Sequence, residues 1–132
     1  MQTHEFLGQV QNKARLATLG EAMRATRATL ETLAERLGPD EARHLAAPLP
    51  HEIQLFLSDA AMPMPERFSP GEFLLRVCAR EGIALPESTQ HARVVIDVLT
   101  EAVSPGETTN VLARLPEDYK QLFAGSREVP TE

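Results

Sequence analysis

Two halves of this 132-residue sequence repeat one another, and this repeat constrains the fold more than any other feature. Glu5–Val10 (EFLGQV) aligns with Glu72–Val77 (EFLLRV) at a shift of 67 positions. Leu49–Pro50 aligns with Leu115–Pro116 at a shift of 66. The shift changes by one residue between the first two predicted helices of each half, where a loop can accommodate the difference. A repeat of this kind predicts that one supersecondary unit is formed twice.

Helices are predicted from the spacing of apolar residues and from helix-capping motifs. Apolar side chains recur every three or four positions, which is typical of a helix that buries one face. The segments Thr18–Glu21, Ser69–Glu72 and Ser104–Glu107 are capping boxes, in which a hydroxyl and a carboxylate satisfy the free N–H groups of a helix start. The sequence has no sustained alternation of period two, so no strand is predicted.

These signals predict eight helices, at 3–14, 19–37, 39–47, 50–59, 70–81, 86–103, 105–113 and 116–124. Repeat one covers about 3–59, the Pro- and Met-rich stretch 60–68 is the linker, and repeat two covers about 69–124. The tail 125–132 is expected to be flexible. A half of about 60 residues is marginal alone. We therefore predict one all-α domain over 1–124, a helical bundle of two tandem four-helix repeats with a pseudo-two-fold relation.

Composition narrows the classes of function. The formal net charge of −6 argues against a duplex nucleic-acid binder, and a chain with no Trp and one Tyr offers no stacking platform for single-stranded bases. No apolar run approaches the roughly 20 residues of a membrane span. Cys78 is the single cysteine, so no internal disulfide is expected. The first residues lack the pattern of a signal peptide, and we expect a cytoplasmic location.

The repeated pattern of Glu-Phe-Leu, a long Arg- and Ala-rich helix and a Leu-Pro-led short helix resembles a bacterial family. This is the domain-of-unknown-function family 2267. The resemblance extends from about residue 3 to about residue 124. It is carried by Glu5–Leu7 with Val10, Leu30–Leu37, Leu49–Pro50, Glu72–Leu74 with Arg76–Val77, and Arg114–Tyr119. Members often carry a Trp after the first Leu-Pro helix, where this chain has Met62–Pro65. The resemblance implies helices and a bacterial source, and no catalytic residue.

Motifs for metal binding or catalysis are weak. Glu41 and His44 have the Glu-x-x-His spacing of helical di-iron proteins, but the second half has no matching copy. His44 and His51 can approach each other across a turn, and we favour surface histidines over a metal pair. His4 and His91 are expected to face solvent. Cys78 lies beside the core stripe and is expected to be an inert thiol. No cofactor is predicted.

Two small groups of residues are candidates for binding. Arg27 and Arg93 occupy equivalent positions and can form a polar pocket for a carboxylate or phosphate, although ion pairs with Glu31 and Asp97 are the simpler interpretation. Met62, Met64 and Phe68 form a candidate interaction surface, because methionine adapts to varied partners. The alternative for these three is that the linker folds down and they cap the core.

Three classes of function remain, in descending order of preference. The first is a non-catalytic protein-interaction or assembly module, with a protein partner or self-association. The second is a small-molecule or lipid-binding bundle with a cavity lined by Phe6, Leu30, Phe73 and Ile96. The third is a metalloprotein or enzyme, which needs the scattered His and Glu residues to converge.

Overall fold

The computed structural model describes residues 1–102 and 117–125, with side chains as far as residue 121. These residues form seven helices and no strand, so the predicted all-α class is confirmed within them. The helices are α1 (Thr3–Ala14), α2 (Leu19–Leu37), α3 (Pro39–Ala46), α4 (His51–Ser58), α5 (Pro70–Glu81), α6 (Leu85–Ala102) and α7 (Glu117–Gly125). None of these seven helices combines the length and the hydropathy needed to cross a bilayer.

The observed helix ends lie within one residue of the predicted ends. Three features of the second half lie outside the described residues: the predicted helix 105–113, the Ser104–Glu107 capping box, and all of the predicted tail except Gly125. The side chains of Leu122 and Phe123, which follow Tyr119 at helical spacing in the sequence, also lie outside them.

The helix starts follow from the predicted caps. Thr18 Oγ1 accepts a hydrogen bond from the Glu21 N–H at 3.1 Å, and Glu21 Oε1 accepts one from the Ala17 N–H at 2.9 Å. Ser69 Oγ accepts from the Glu72 N–H at 3.1 Å. The Glu72 carboxylate accepts from Arg76 Nε at 3.0 Å, so it is used in an ion pair within α5. The hydroxyls therefore set the helix starts as predicted.

The two long helices α2 and α6 pack against each other, and α1 and α5 each contact both of them. The short helix α4 packs on α2, α7 packs on α6, and α3 packs on α4. One buried apolar cluster includes residues from all seven helices, from Phe6 of α1 to Tyr119 of α7. The hydrophobic core is therefore continuous across the linker.

The linker 60–68 is held against the C-terminal end of α2. The Glu66 N–H donates to the Glu35 carbonyl at 3.0 Å, and Arg36 Nε donates to the Phe68 carbonyl at 3.2 Å. Pro65 lies so close to Gly38 that a Cβ added there would be 3.1 Å from Pro65 Cδ. Gly38 itself has φ +84°, between the end of α2 and the start of α3. These contacts fix the linker on the helical body.

Candidate functional site

An open groove of about 500 Å³ lies between α2 and α4. Its lining consists of three apolar and four charged side chains. The α2–α4 groove is lined by Met23, Arg27, Glu31, Glu52, Leu55, Phe56 and Asp59. Leu55 is 41% exposed, and Leu19, which precedes Met23 by one helical turn, is 47% exposed. Exposed apolar side chains grouped beside charged ones make this groove a candidate binding surface.

The groove arises because α4 is apolar on more than one face. Ile53 and Leu57 are buried in the core and fix the orientation of the helix. Leu55, two positions from each of them, is turned about 200° away, toward solvent. Phe56 lies between these directions and is half-buried. The core-facing residues thus hold the groove-facing residues in place.

A second cluster joins the linker to α2 and α5. Arg76 forms ion pairs with Glu35 (3.3 Å), Glu66 (3.0 Å) and Glu72 (3.0 Å), while its guanidinium lies 4.0 Å from the Phe68 ring centroid. Arg80 Nη2 pairs with Glu35 at 2.5 Å. Hydrogen bonds to Arg76 lower the pKa of Glu66, and those to Glu66 and Glu72 raise the pKa of Arg76. Because each charged side chain of this cluster is paired with one of opposite sign, we assign the cluster a structural role.

Tyr119 of α7 contacts the linker beside this cluster. Its hydroxyl donates to the Phe68 carbonyl at 2.5 Å, and its ring packs edge-on against Phe73 with the centroids 6.0 Å apart. The Arg36 guanidinium lies 5.0 Å from the Tyr119 ring centroid. Burial raises the pKa of the Tyr119 phenol to about 12.

Tyr119 is the single tyrosine of the chain, so its ionisation can be read directly from absorbance. We expect the folded protein to titrate at pH about 12 and the urea-unfolded chain near the ordinary value of about 10. A raised folded-state pKa stabilises the fold fully below pH about 10, and this contribution is lost as the pH rises toward 12. Ionisation near pH 10 with unchanged circular dichroism would contradict the buried geometry.

A family model described as Uncharacterized conserved protein (DUF2267) matches residues 3–122. The chain belongs to the DUF2267 family. No curated protein matches the sequence. The family assignment confirms the resemblance found in the sequence. The description of DUF2267 attaches no activity or ligand to the groove or to any other site.

The structure separates the three linker residues of the candidate interaction surface in this DUF2267 chain. Met62 and Met64 are 46% and 78% exposed. Phe68 is partly buried against the core and lies beneath the Arg76 guanidinium. Phe68 therefore caps the core, while the two methionines remain at the surface.

The two arginines of the candidate polar pocket also have different surroundings. Arg27 lines the α2–α4 groove and pairs with Glu31 at 2.9 Å, the predicted ion pair. Arg93 is exposed on α6 and does not line this groove. Asp97, its predicted partner, pairs with Lys13 of α1 at 3.1 Å.

His91 is buried, and the expectation that it faces solvent is wrong. Its Nδ1 lies 2.5 Å from Glu81 Oε2, and Ser88 Oγ donates to Glu81 Oε1 at 3.0 Å. Glu81 ends α5, while Ser88 and His91 lie one turn apart on α6. His91 faces inward because it lies one turn before Val95 on the buried stripe of α6. The carboxylate bridges two side chains, so this group ties α5 to α6.

The other motifs remain apart in the structure. His4, His44 and His51 are exposed. Cys78 is half-buried, and its thiol donates to the Ile83 carbonyl at 3.0 Å. Within the part of the chain that the structure describes, no three His, Cys, Asp or Glu side chains are grouped to hold a metal ion.

Proposed function

We propose that this DUF2267 chain is a non-catalytic protein-interaction module and that the α2–α4 groove is its docking surface. One observation carries the proposal. The groove brings the apolar side chains of Met23, Leu55 and Phe56 together with charged side chains beside them, a combination that suits a protein–protein interface. Methionine in such a groove lets the surface adapt to a partner's side chains.

The rigidity of the groove supports docking. Ile53 and Leu57 are fully buried beneath α4. Gln54 Nε2 donates to the carbonyls of Ala47 and Leu49 at 3.1 and 3.0 Å, which secures the turn before α4. A preformed groove avoids the cost of ordering loops when a partner binds.

The small-molecule or lipid alternative is less well supported. Its predicted lining, Phe6, Leu30, Phe73 and Ile96, belongs to the buried core. The groove volume is within the range of ligand pockets, but Glu52, Leu55 and Asp59 are exposed along it. An open, charged groove buries too little of a small apolar ligand, whereas a helix laid along it covers its apolar side chains.

The docking proposal is tested by truncating Leu55. A partner is first isolated with the wild-type chain and purified, and its affinity is then measured by calorimetry for wild type, Leu55→Ala and Leu75→Ala. Leu75 is the matched control, because it is 54% exposed on α5 and does not line the groove. We expect Leu55→Ala to weaken binding about tenfold or more and Leu75→Ala to leave it nearly unchanged. Equal affinities for Leu55→Ala and wild type would contradict the proposal.

We also propose that the fold is a tandem duplication of a four-helix unit with a pseudo-two-fold relation. Helices α1, α2 and α4 begin at residues 3, 19 and 51, and α5, α6 and α7 begin at 70, 85 and 117. The C-cap residues that follow α1 and α5, Arg15 and Gly82, both have a left-handed backbone, with φ 57° and 75°. Exchanging the halves converts the α1–α6 contact into α5–α2 and the α2–α4 contact into α6–α7. These equivalences support the duplication.

A bacterial, cytoplasmic setting is part of the same proposal. It is supported by the Arg- and Ala-rich composition and by the single, half-buried cysteine. Fractionation of the source cells tests it, with the chain expected in the cytosolic fraction.

A further inference from the structure

The charges of the α2–α4 groove are unbalanced. Arg27 is its only lining cation among the described residues, and this guanidinium is already paired with Glu31 at 2.9 Å. Glu31 also lies 3.6 Å from Arg80 Nε of α5. Glu52 and Asp59 are exposed, and within the described ranges neither forms an ion pair. The groove therefore has two carboxylates to offer to a partner.

The position of Asp59 strengthens this negative potential. Asp59 is the C-terminal cap of α4, and its N–H donates to the Leu55 carbonyl at 2.9 Å. The C-terminus of a helix carries partial negative charge, so a carboxylate there is unfavourable for the isolated helix and attracts cations. No side-chain hydrogen bond or ion pair of Asp59 is found among the described residues, so its exposed carboxylate is available to a partner.

We propose that the groove selects an amphipathic helix whose apolar face is flanked by two basic residues. This inference rests on the proposed docking function and names the chemistry of the partner. Glu52 and Asp59 lie at opposite ends of α4, seven positions apart, which corresponds to about 10 Å along a helix. Two basic residues seven positions apart on a docked helix have the same separation, and the apolar residues between them cover Leu55 and Phe56.

The net charge of the whole chain agrees with a basic partner. With a formal charge of −6, the chain attracts cationic segments over long distances and repels a second acidic copy of itself. Charge of this kind raises association rates and discriminates between partners. A basic amphipathic helix therefore fits the groove better than a second copy of this chain.

The test uses three synthetic helical peptides with the same apolar face. Two flanking positions, seven residues apart, carry Arg, Gln or Glu. Binding is measured by fluorescence anisotropy at low and high salt for wild type and for the double variant Glu52→Lys/Asp59→Lys. The control Asp40→Lys/Glu87→Lys makes the same change in net charge at exposed positions outside the groove.

We expect wild type and the control to bind the Arg peptide about tenfold more tightly than the Glu peptide, with a preference that salt weakens. The groove variant should reverse this order. Equal affinity for all three peptides, or reversal by the control as well, overturns the inference. If Leu55→Ala still weakens the binding of these peptides in that case, the docking function is supported and only the charge selectivity is lost. The inference is also overturned if none of the peptides binds, or if the chain forms dimers that the Leu55→Ala substitution dissociates.

Discussion

Replacing Glu81 by alanine is expected to lower the free energy of unfolding by about 3 kcal/mol. Glu81 is only 5% exposed and accepts hydrogen bonds from His91 and Ser88 of the next helix. The substitution leaves two buried polar side chains without this acceptor. Their desolvation is then uncompensated, which costs more than the loss of an average hydrogen bond.

Denaturant unfolding of Glu81→Ala and of Glu101→Ala measures this effect. Glu101 also pairs with a basic residue of another helix, Lys13 at 2.8 Å, but its side chain is 45% exposed. Solvent screens this surface pair, so Glu101→Ala should cost less than about 1 kcal/mol. Equal losses for the two variants would show that the Glu81 group is not the buried link between α5 and α6.

Replacing Gly38 by alanine is expected to lower the free energy of unfolding by about 2 kcal/mol. Gly38 has φ +84° and ψ 173°, a conformation that is almost restricted to glycine. A Cβ at this position would also lie 3.1 Å from Pro65 Cδ, so the linker would have to shift. Backbone strain and this close contact therefore act in the same direction.

Gly8→Ala is the matched control, and it should raise the free energy of unfolding where Gly38→Ala lowers it. Gly8 lies inside α1, and a Cβ there would meet nothing within 4 Å. Alanine is favoured over glycine inside a helix, so this variant should gain about 0.5–1 kcal/mol. Thermal or urea unfolding of both variants checks the prediction. A neutral or stabilising Gly38→Ala would contradict the described conformation of the α2–α3 junction.

Helix positions were predictable from the sequence because their signals are local. Thr18 and Ser69 cap helices in the structure as their capping boxes predict, and Gly38 ends α2 immediately before Pro39. Each of these signals depends on residues within one turn. Local chemistry therefore fixed the helix ends to within one residue.

Contacts between distant residues were not predictable in the same way. Glu81 and His91 meet because Gly82, with φ +75°, reverses the chain after α5. His91 was expected to face solvent, although its place one turn before Val95 could have indicated burial, and no acidic residue near it in the sequence pointed to Glu81 as its partner. The exposure of Leu55 was not predicted either, because Ile53, Phe56 and Leu57 already accounted for the buried face of α4. An apolar residue on the opposite face of that helix is the sequence signal that could have indicated the groove.

We propose that the α2–α4 groove docks a partner helix. The most direct measurement is chemical-shift mapping of the isotope-labelled chain during titration with the Arg-flanked peptide. We predict that saturable shifts concentrate on the groove residues, led by Met23, Leu55 and Phe56. Shifts centred on Met62 and Met64, or the absence of saturable shifts, would contradict the claim.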